Sequence, residues 1–202
     1  TPSCFTASHQ LRLASAARIA GFQSVRIASN IESLAAVYFN RHVKSPATPL
    51  TFPFVVGFVD YGAAQFSVGL VLYFATTSED DDDASDPSPK PGFVVLHEES
   101  VVGSAGESLD VALARHLAPT MDLSSRKGRR LVRSCRNAKK LISINKQTRF
   151  VVDAFEDDGR DKRFDLSRDG FVAACAPSFD VFRNSLRSVL ERVFPNVRFV
   201  HL

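Results

Sequence analysis

Apolar positions along this chain recur with two different periods. Leu11, Ala14, Ala17, Arg18 and Ile19 fall at helical intervals and Gly21 follows as a C-terminal stop, so the first element expected is a helix. Ser24 to Ile27 carries β-branched residues and reads as a short buried strand, and Ile31 to Phe39 reads as a second, alanine-rich helix. Ala28, Ala35 and Ala36 would permit close backbone packing there, and Pro46, Pro49 and Pro53 mark a linker. Phe54 to Asp60 is a nearly continuous apolar run, the pattern of a strand buried on both faces. A tight turn at Tyr61 to Ala64 leads into a returning strand, Gln65 to Phe74, which makes a hairpin. Glu79 to Pro91 is a run of acids, serines and prolines that cannot build a core and predicts a solvated loop. Phe93 to Leu96 then restores the sheet as a third strand.

Beyond Gly103 and Gly106 the period changes. Leu109, Ala112, Leu113 and His116 place a helix over Glu107 to Leu117. Ser124 or Ser125 caps a long basic helix that reaches about Asn145, with Leu131, Cys135, Ala138 and Ile142 as its apolar stripe. Arg149 to Phe155 and Lys162 to Leu166 flank Asp157-Asp158-Gly159, a hairpin signal. Ser167 opens a further helix interrupted at Pro177, Phe179 to Val193 is a second helical run, and Val197 to Val200 is a closing strand. No repeat of solenoid period is present. The expected class is α/β or α+β, with helix-rich regions around a mixed sheet.

Composition narrows the function classes. The apolar share of 45% and charged share of 23% are those of a globular protein, and the net charge of +3 gives no reason to expect nucleic acid or a membrane as partner. No apolar run approaches the roughly 18–20 residues of a spanning helix. The chain opens on Thr1 without a signal segment, as expected of an excised or processed piece. Cys4, Cys135 and Cys175 are an odd set without paired spacing, which excludes a disulfide framework and a zinc cluster and fits a reducing compartment. Five scattered histidines show no metal or triad spacing, and the acidic run Asp80 to Asp83 has nothing to fix ligand geometry. The cluster Arg126, Lys127, Arg129, Arg130, Arg133, Arg136, Lys139 and Lys140 could be a phosphate-backbone footprint or an ordinary charged helix; spread over more than one face, it reads as the latter.

One motif points to specific chemistry. Phe58-Val-Asp-Tyr-Gly62, followed by Ala63-Ala-Gln-Phe-Ser-Val68, ends a strand on Asp60 and turns on small residues. Small residues admit a phosphate to backbone amides, and a carboxylate can organise magnesium through its waters. This stretch resembles the second phosphate loop of the actin-like ATPases, although a plain hairpin would show the same residues. Ala16 to Phe22 with Val25-Arg-Ile27, then Ala35, Ala36 and Tyr38, resemble a crossover helix, strand and next helix of seventy-kilodalton heat-shock chaperones. Gly106-Glu-Ser-Leu-Asp110, Cys135 to Ser143, Phe171 to Cys175 and Leu186 to Glu191 resemble further blocks of that superfamily, in the same order. The chain is more similar to its large, hundred-and-ten-kilodalton branch, through Cys135, Lys139-Lys140-Leu141, Cys175, Leu186 to Glu191 and the opening Pro2-Ser-Cys-Phe-Thr6. The resemblance covers most of the chain apart from the acidic insert and the proline-rich linker.

That resemblance implies an actin-like ATPase (ribonuclease H-like) fold, present as a partial domain. Residues 1–45 would end lobe I with its crossover helix. Residues 46–118 would be the lobe II sheet, with the phosphate-loop hairpin and an acidic insert at 78–91. Residues 119–176 would form a helical and hairpin subdomain, and 177–202 the returning helix and strand. It also implies a cytoplasmic chaperone that binds ATP or ADP with Mg2+, holds unfolded polypeptides and acts as nucleotide exchange factor for a seventy-kilodalton partner; the alternative is a degenerate pseudo-ATPase used as a scaffold. Asp60 would organise metal-bound water, as both the catalytic and the metal residue. Gly62, Ala63, Gly106 and Glu107 would lie toward the phosphates, and Arg136, Lys139, Lys140 and Ser143 toward the nucleoside. Departures from the family pattern are Ala63 and Ala64 for loop glycines, Asn30 for a glutamate, Arg136 for a glutamate that faces the sugar, and Ala105 for a glycine. Family parts are also missing before Thr1 and after Leu202, so this piece is expected not to hydrolyse ATP by itself.

Overall fold

The computed structural model describes residues 1–44, 50–76, 90–156 and 158–196. It has a mixed α/β architecture in which antiparallel sheets are flanked by helices, and it divides into two units. One unit comprises residues 1–61, 66–101 and 184–202; the other comprises 62–65 and 102–183.

The first unit opens with α1 (Ala7–Ile19), capped by the Thr6 side chain on the His9 amide, and Gly21 follows it at φ 97°. Helix α2 (Asn30–Tyr38) starts from a reciprocal cap in which Ser29 accepts from the Glu32 amide and Glu32 accepts from the Ser29 amide. Strands β1 (Phe54–Tyr61), β2 (Gln65–Thr76) and β3 (Lys90–Val102) form one sheet with β2 at its centre. β1 and β2 pair antiparallel from Phe54 opposite Tyr73 to Tyr61 opposite Phe66. The core gathers Ile31 and Ala35 of α2, Val43, and Val71 and Tyr73 of β2 inside a ring of Tyr38, Phe54, Phe58 and Phe93. Tyr73 stacks on Phe54 with centroids 5.3 Å apart and donates its hydroxyl to the Ala35 carbonyl at 3.0 Å. Burial, with Tyr38 nearby, pushes that hydroxyl's pKa up to about 12.

In the second unit, α3 (Gly106–Leu117) packs on α4 (Arg126–Ile144), and α4 packs in turn on an antiparallel hairpin of β4 (Gln147–Val152) and β5 (Lys162–Ser167). The expected stripe of α4 is its buried face: Leu131, Cys135, Ala138 and Ile142 meet Leu113, Val152, Phe155, Phe164 and Leu166. The start of α4 is sterically defined. Ser125 accepts from the Gly128 amide at 3.0 Å and donates its hydroxyl to the Asp122 carbonyl at 2.6 Å. A Cβ on Gly128 would collide with the backbone of Asp122 and Leu123. At its other end the Arg168 guanidinium donates to the carbonyls of Ile142, Ser143 and Asn145 at 3.1–3.3 Å, satisfying groups a helix terminus leaves open.

Four expectations are corrected. Ser24 to Ile27 is not a strand: the backbone bonds recorded beside it are one residue's worth, from the Thr1 amine to Ala28 O and from Asn30 N to Thr1 O, too few for a ladder. β1 is not buried on both faces. Its burial alternates, with Val55 and Val59 exposed, because it lies at a sheet edge with α2 against one side. The expected mixed sheet is instead antiparallel where β1 meets β2, since the turn of a few residues between them enforces that direction, and the hairpin of β4 and β5 is a separate antiparallel pair. Finally, α5 (Arg168–Val193) runs through Pro177 without a break; proline forfeits one amide donor, and a helix of 26 residues has enough other bonds to continue. Pro46, Pro49, the acidic run at 80–83, Asp157 and the closing strand at 197–200 lie outside the described residues.

Candidate functional site

The turn at 62–65 and the start of α3 belong to one unit and are tied by backbone. The Gly106 amide donates to Gly62 O at 3.0 Å and the Glu107 amide to Ala63 O at 2.7 Å. Gly103 N donates to Ala64 O at 2.9 Å, and Gly62 N closes the turn on Gln65 O at 2.9 Å. A Cβ at Gly106 would stand 3.1 Å from Gly62 O, a tight contact that the turn would have to ease by a few tenths of an ångström. The sequence motif is thus assembled, and the amides of Gly62, Gly106 and Glu107 are engaged inside it. An incoming phosphate would have to displace those bonds to use them.

Beneath this joint lies Asp110, a carboxylate 1% exposed on the buried face of α3 between Leu109 and Leu113. Two cations of α4 meet it: Lys139 Nζ is 2.6 Å from Oδ1, and Arg136 Nε donates to Oδ2 at 3.1 Å. Lys139 also donates to the Gly106 carbonyl, and Arg136 lies 3.5 Å from Glu107. Two carboxylates thus face two cations, and the group carries no net charge with which to attract an anion. Burying a carboxylate is tolerable only with such partners. Asp110 was missed as an organiser by sequence reasoning, yet its signal was present: an acid three and four residues before Leu113 and Ala114, inside the apolar stripe of α3.

The remaining expected residues fall into two groups. Lys140 is exposed on α4, and Ser143 donates its hydroxyl to the Lys140 carbonyl at 2.7 Å, so both face away from the buried stripe. An open groove of about 600 Å³ between α3 and the early part of α5 is lined by Val111, Ala112, Arg115 and Ser178, and of the residues expected at the nucleotide Glu107 alone reaches it. Asp60 belongs to the other unit, where its Oδ2 accepts from Asn30 Nδ2 at 3.0 Å. Asn30 thus gives Asp60 a hydrogen-bond donor for a neighbour.

The thiols are inert where they are buried. Burial pushes Cys135 up to about 12, reinforced by the Asp110 charge, and Cys175 up to about 11 despite Lys139. Cys175 Sγ points at the Leu109 carbonyl at 3.7 Å, and Cys4 is exposed. Among the described residues, no group of three or more histidines, cysteines and acids could hold a metal directly, and no helix is long and apolar enough to cross a membrane. No protein-family model matches this sequence, and none of the curated proteins matches it.

Proposed function

We propose that this chain is a fragment, mainly lobe II with the end of lobe I, of the actin-like (ribonuclease H-like) nucleotide-binding domain of a large cytoplasmic heat-shock chaperone. That chaperone would bind ATP or ADP with Mg2+, serve a seventy-kilodalton partner as nucleotide exchange factor and hold unfolded polypeptides. The observation that carries the reading is the joint between the hairpin turn at 62–65 and the glycine-started α3, followed in order by the basic α4, a β-hairpin and α5. This is the order the resemblance implies, and a small-residue turn on a helix start is a backbone arrangement suited to phosphate. Toward a nucleotide the chain would offer Asp60, Gly62, Ala63, Gly106 and Glu107 at the phosphates, and Arg136, Lys139, Lys140 and Ser143 along α4. Magnesium, when bound, neutralises phosphate charge; the protein's part is Asp60, through water.

A second reading, a pseudo-ATPase retained as an interaction scaffold, draws on a specific observation. The amides of Gly62, Gly106 and Glu107 bond within the joint, and Arg136 and Lys139 are held by Asp110. Calorimetric titration of Mg-ADP and Mg-ATP into the longest natural chain carrying this sequence separates the two. Saturable heat that weakens on Asp60→Ala is the expected result for a nucleotide-gated chaperone; no heat at about millimolar nucleotide (~4 kcal/mol of affinity or less) leaves the scaffold. The 202-residue chain alone is expected to release no phosphate from ATP. Release abolished by Asp60→Ala would refute that.

A further inference from the structure

Charge is distributed very unevenly along this chain. From Leu123 to Val152 there are ten lysines and arginines and no aspartate or glutamate, so the stretch carries +10 in a molecule whose total is +3, leaving −7 elsewhere. The structure shows how α4 arranges its part of this. Spread over 100° steps, Arg126, Arg129, Arg130, Arg133, Arg136 and Lys140 fall within an arc of roughly 120°, opposite the buried stripe. Only Lys127 and Lys139 of the cluster lie off it, beside the core. Asn137 is the sole other residue in the arc between positions 126 and 140, so the stripe contains no acid and no apolar side chain. Arg126, Arg129, Arg133, Arg136 and Lys140 are exposed and Arg130 is half-buried. At 1.5 Å per residue the stripe is about 21 Å long, with a cation at each half-heptad step of about 5 Å.

Among the described residues, the charges facing this stripe from neighbouring elements leave most of it unneutralised. Arg136 is shared with Asp110 and Glu107, Asp122 lies near Arg129, and Arg130 donates to the backbone carbonyl of Asp153. We infer that the solvent face of α4 is a docking surface for the phosphodiester backbone of nucleic acid. Five of its six cations are arginines, whose planar fork matches phosphate oxygens in pairs. Insertion into a lipid surface would call for apolar side chains to enter the acyl boundary, and a protein partner for an apolar or aromatic anchor at its centre; the stripe has neither. With no aromatic ring for base stacking, the surface reads backbone charge and not sequence. It shares Arg136 and Lys140 with the residues proposed for the nucleoside, but Arg126, Arg129, Arg130 and Arg133 lie outside that set, and the proposal does not depend on the joint binding nucleotide.

Fluorescence anisotropy of the full 202-residue chain with a labelled mixed-sequence strand of about 20 nucleotides tests this. Roughly five phosphate contacts predict that affinity falls about a hundredfold between about 50 and 200 mM salt. Arg129→Glu with Arg133→Glu should weaken binding at least tenfold and flatten the salt slope by about 1.4. Arg160→Glu with Arg183→Glu changes net charge equally away from the stripe and should leave most of the binding. Arg133→Gln with Lys140→Gln serves if the reversal fails to fold by circular dichroism, and should weaken binding in the same direction. Equal binding of RNA and DNA fits readout of the backbone alone; stronger RNA binding adds contact with the 2′-hydroxyl. No saturable binding at low salt, equal loss in both double reversals, or tighter binding to polyglutamate or to phosphatidylserine vesicles overturns the proposal.

Discussion

Tyr73 in one unit and Asp110 in the other are both buried polar residues, and their surroundings solve the problem in opposite ways. Tyr73 is neutral. It sits among Phe54, Tyr38 and Phe93 and needs one acceptor, the Ala35 carbonyl, which its own core supplies. Asp110 is charged, and its requirement reaches outside its helix to Lys139 and Arg136, so that α3 and α4 are joined by ions as well as by packing. A neutral group can be accommodated by local geometry; a buried charge conscripts residues elsewhere in the sequence.

The largest expected effect is that of Asp110→Ala. It removes the acceptor from two cations that are themselves partly solvated, at a cost of about 3 kcal/mol, the low end for breaking a buried pair. Denaturant unfolding reads the loss, and hydrogen exchange should show it in α3 and α4 with little change in β2. Adding Lys139→Met should recover about 1 kcal/mol; a loss spread equally over both units would break the contrast.

A change of pH should act next, first through the second unit and above pH 10 through Tyr73 of the first as well. Cys135 and Cys175 ionise in the unfolded chain near their ordinary value of 9 but are held to about 12 and about 11 when folded. The folded state therefore keeps its protons longer. Stability is full below pH 9 and falls as pH rises toward 11, by up to about 1.4 kcal/mol per unit for each thiol. Comparing the slope with that of Cys135→Ala isolates one of them.

Tyr73→Phe should have the smallest effect, below about 1 kcal/mol. The Ala35 carbonyl it strips keeps the Phe39 amide as a donor, and the ring remains in place. A thermal melt that dropped as far as for Asp110→Ala would show that the aromatic core leans on its hydroxyl after all.

The same contrast explains what could be read from the sequence. α4 was legible through its buried face, where every position is apolar or glycine; its cations, expected to spread over more than one face, instead share one arc for six of the eight. α1 was placed correctly by spacing and Gly21, yet only Ala14 is buried while Leu11, Ile19 and Phe22 are exposed, so its pattern marks a helix without marking what it packs on. β1 misled because Val55 and Val59 look like core and face outward at a sheet edge. Ser24 to Ile27 misled because β-branching supplies propensity and not a partner strand. At the candidate site, the small-residue turn and Gly106 could be picked out by type, and so could the cations of α4. What type could not reveal was that the turn's amides and the cations already serve each other and Asp110, since pairing is a property of positions brought together by the fold.

Gly128 has a consequence at the level of heredity. The backbone of Asp122 and Leu123 occupies the space of any side chain there. Glycine is the only amino acid without a Cβ, so every missense change in that codon adds an atom where none fits. A saturation library selected for folded chains should return that column empty apart from glycine, while the exposed Arg126 and Arg129 on either side accept most replacements.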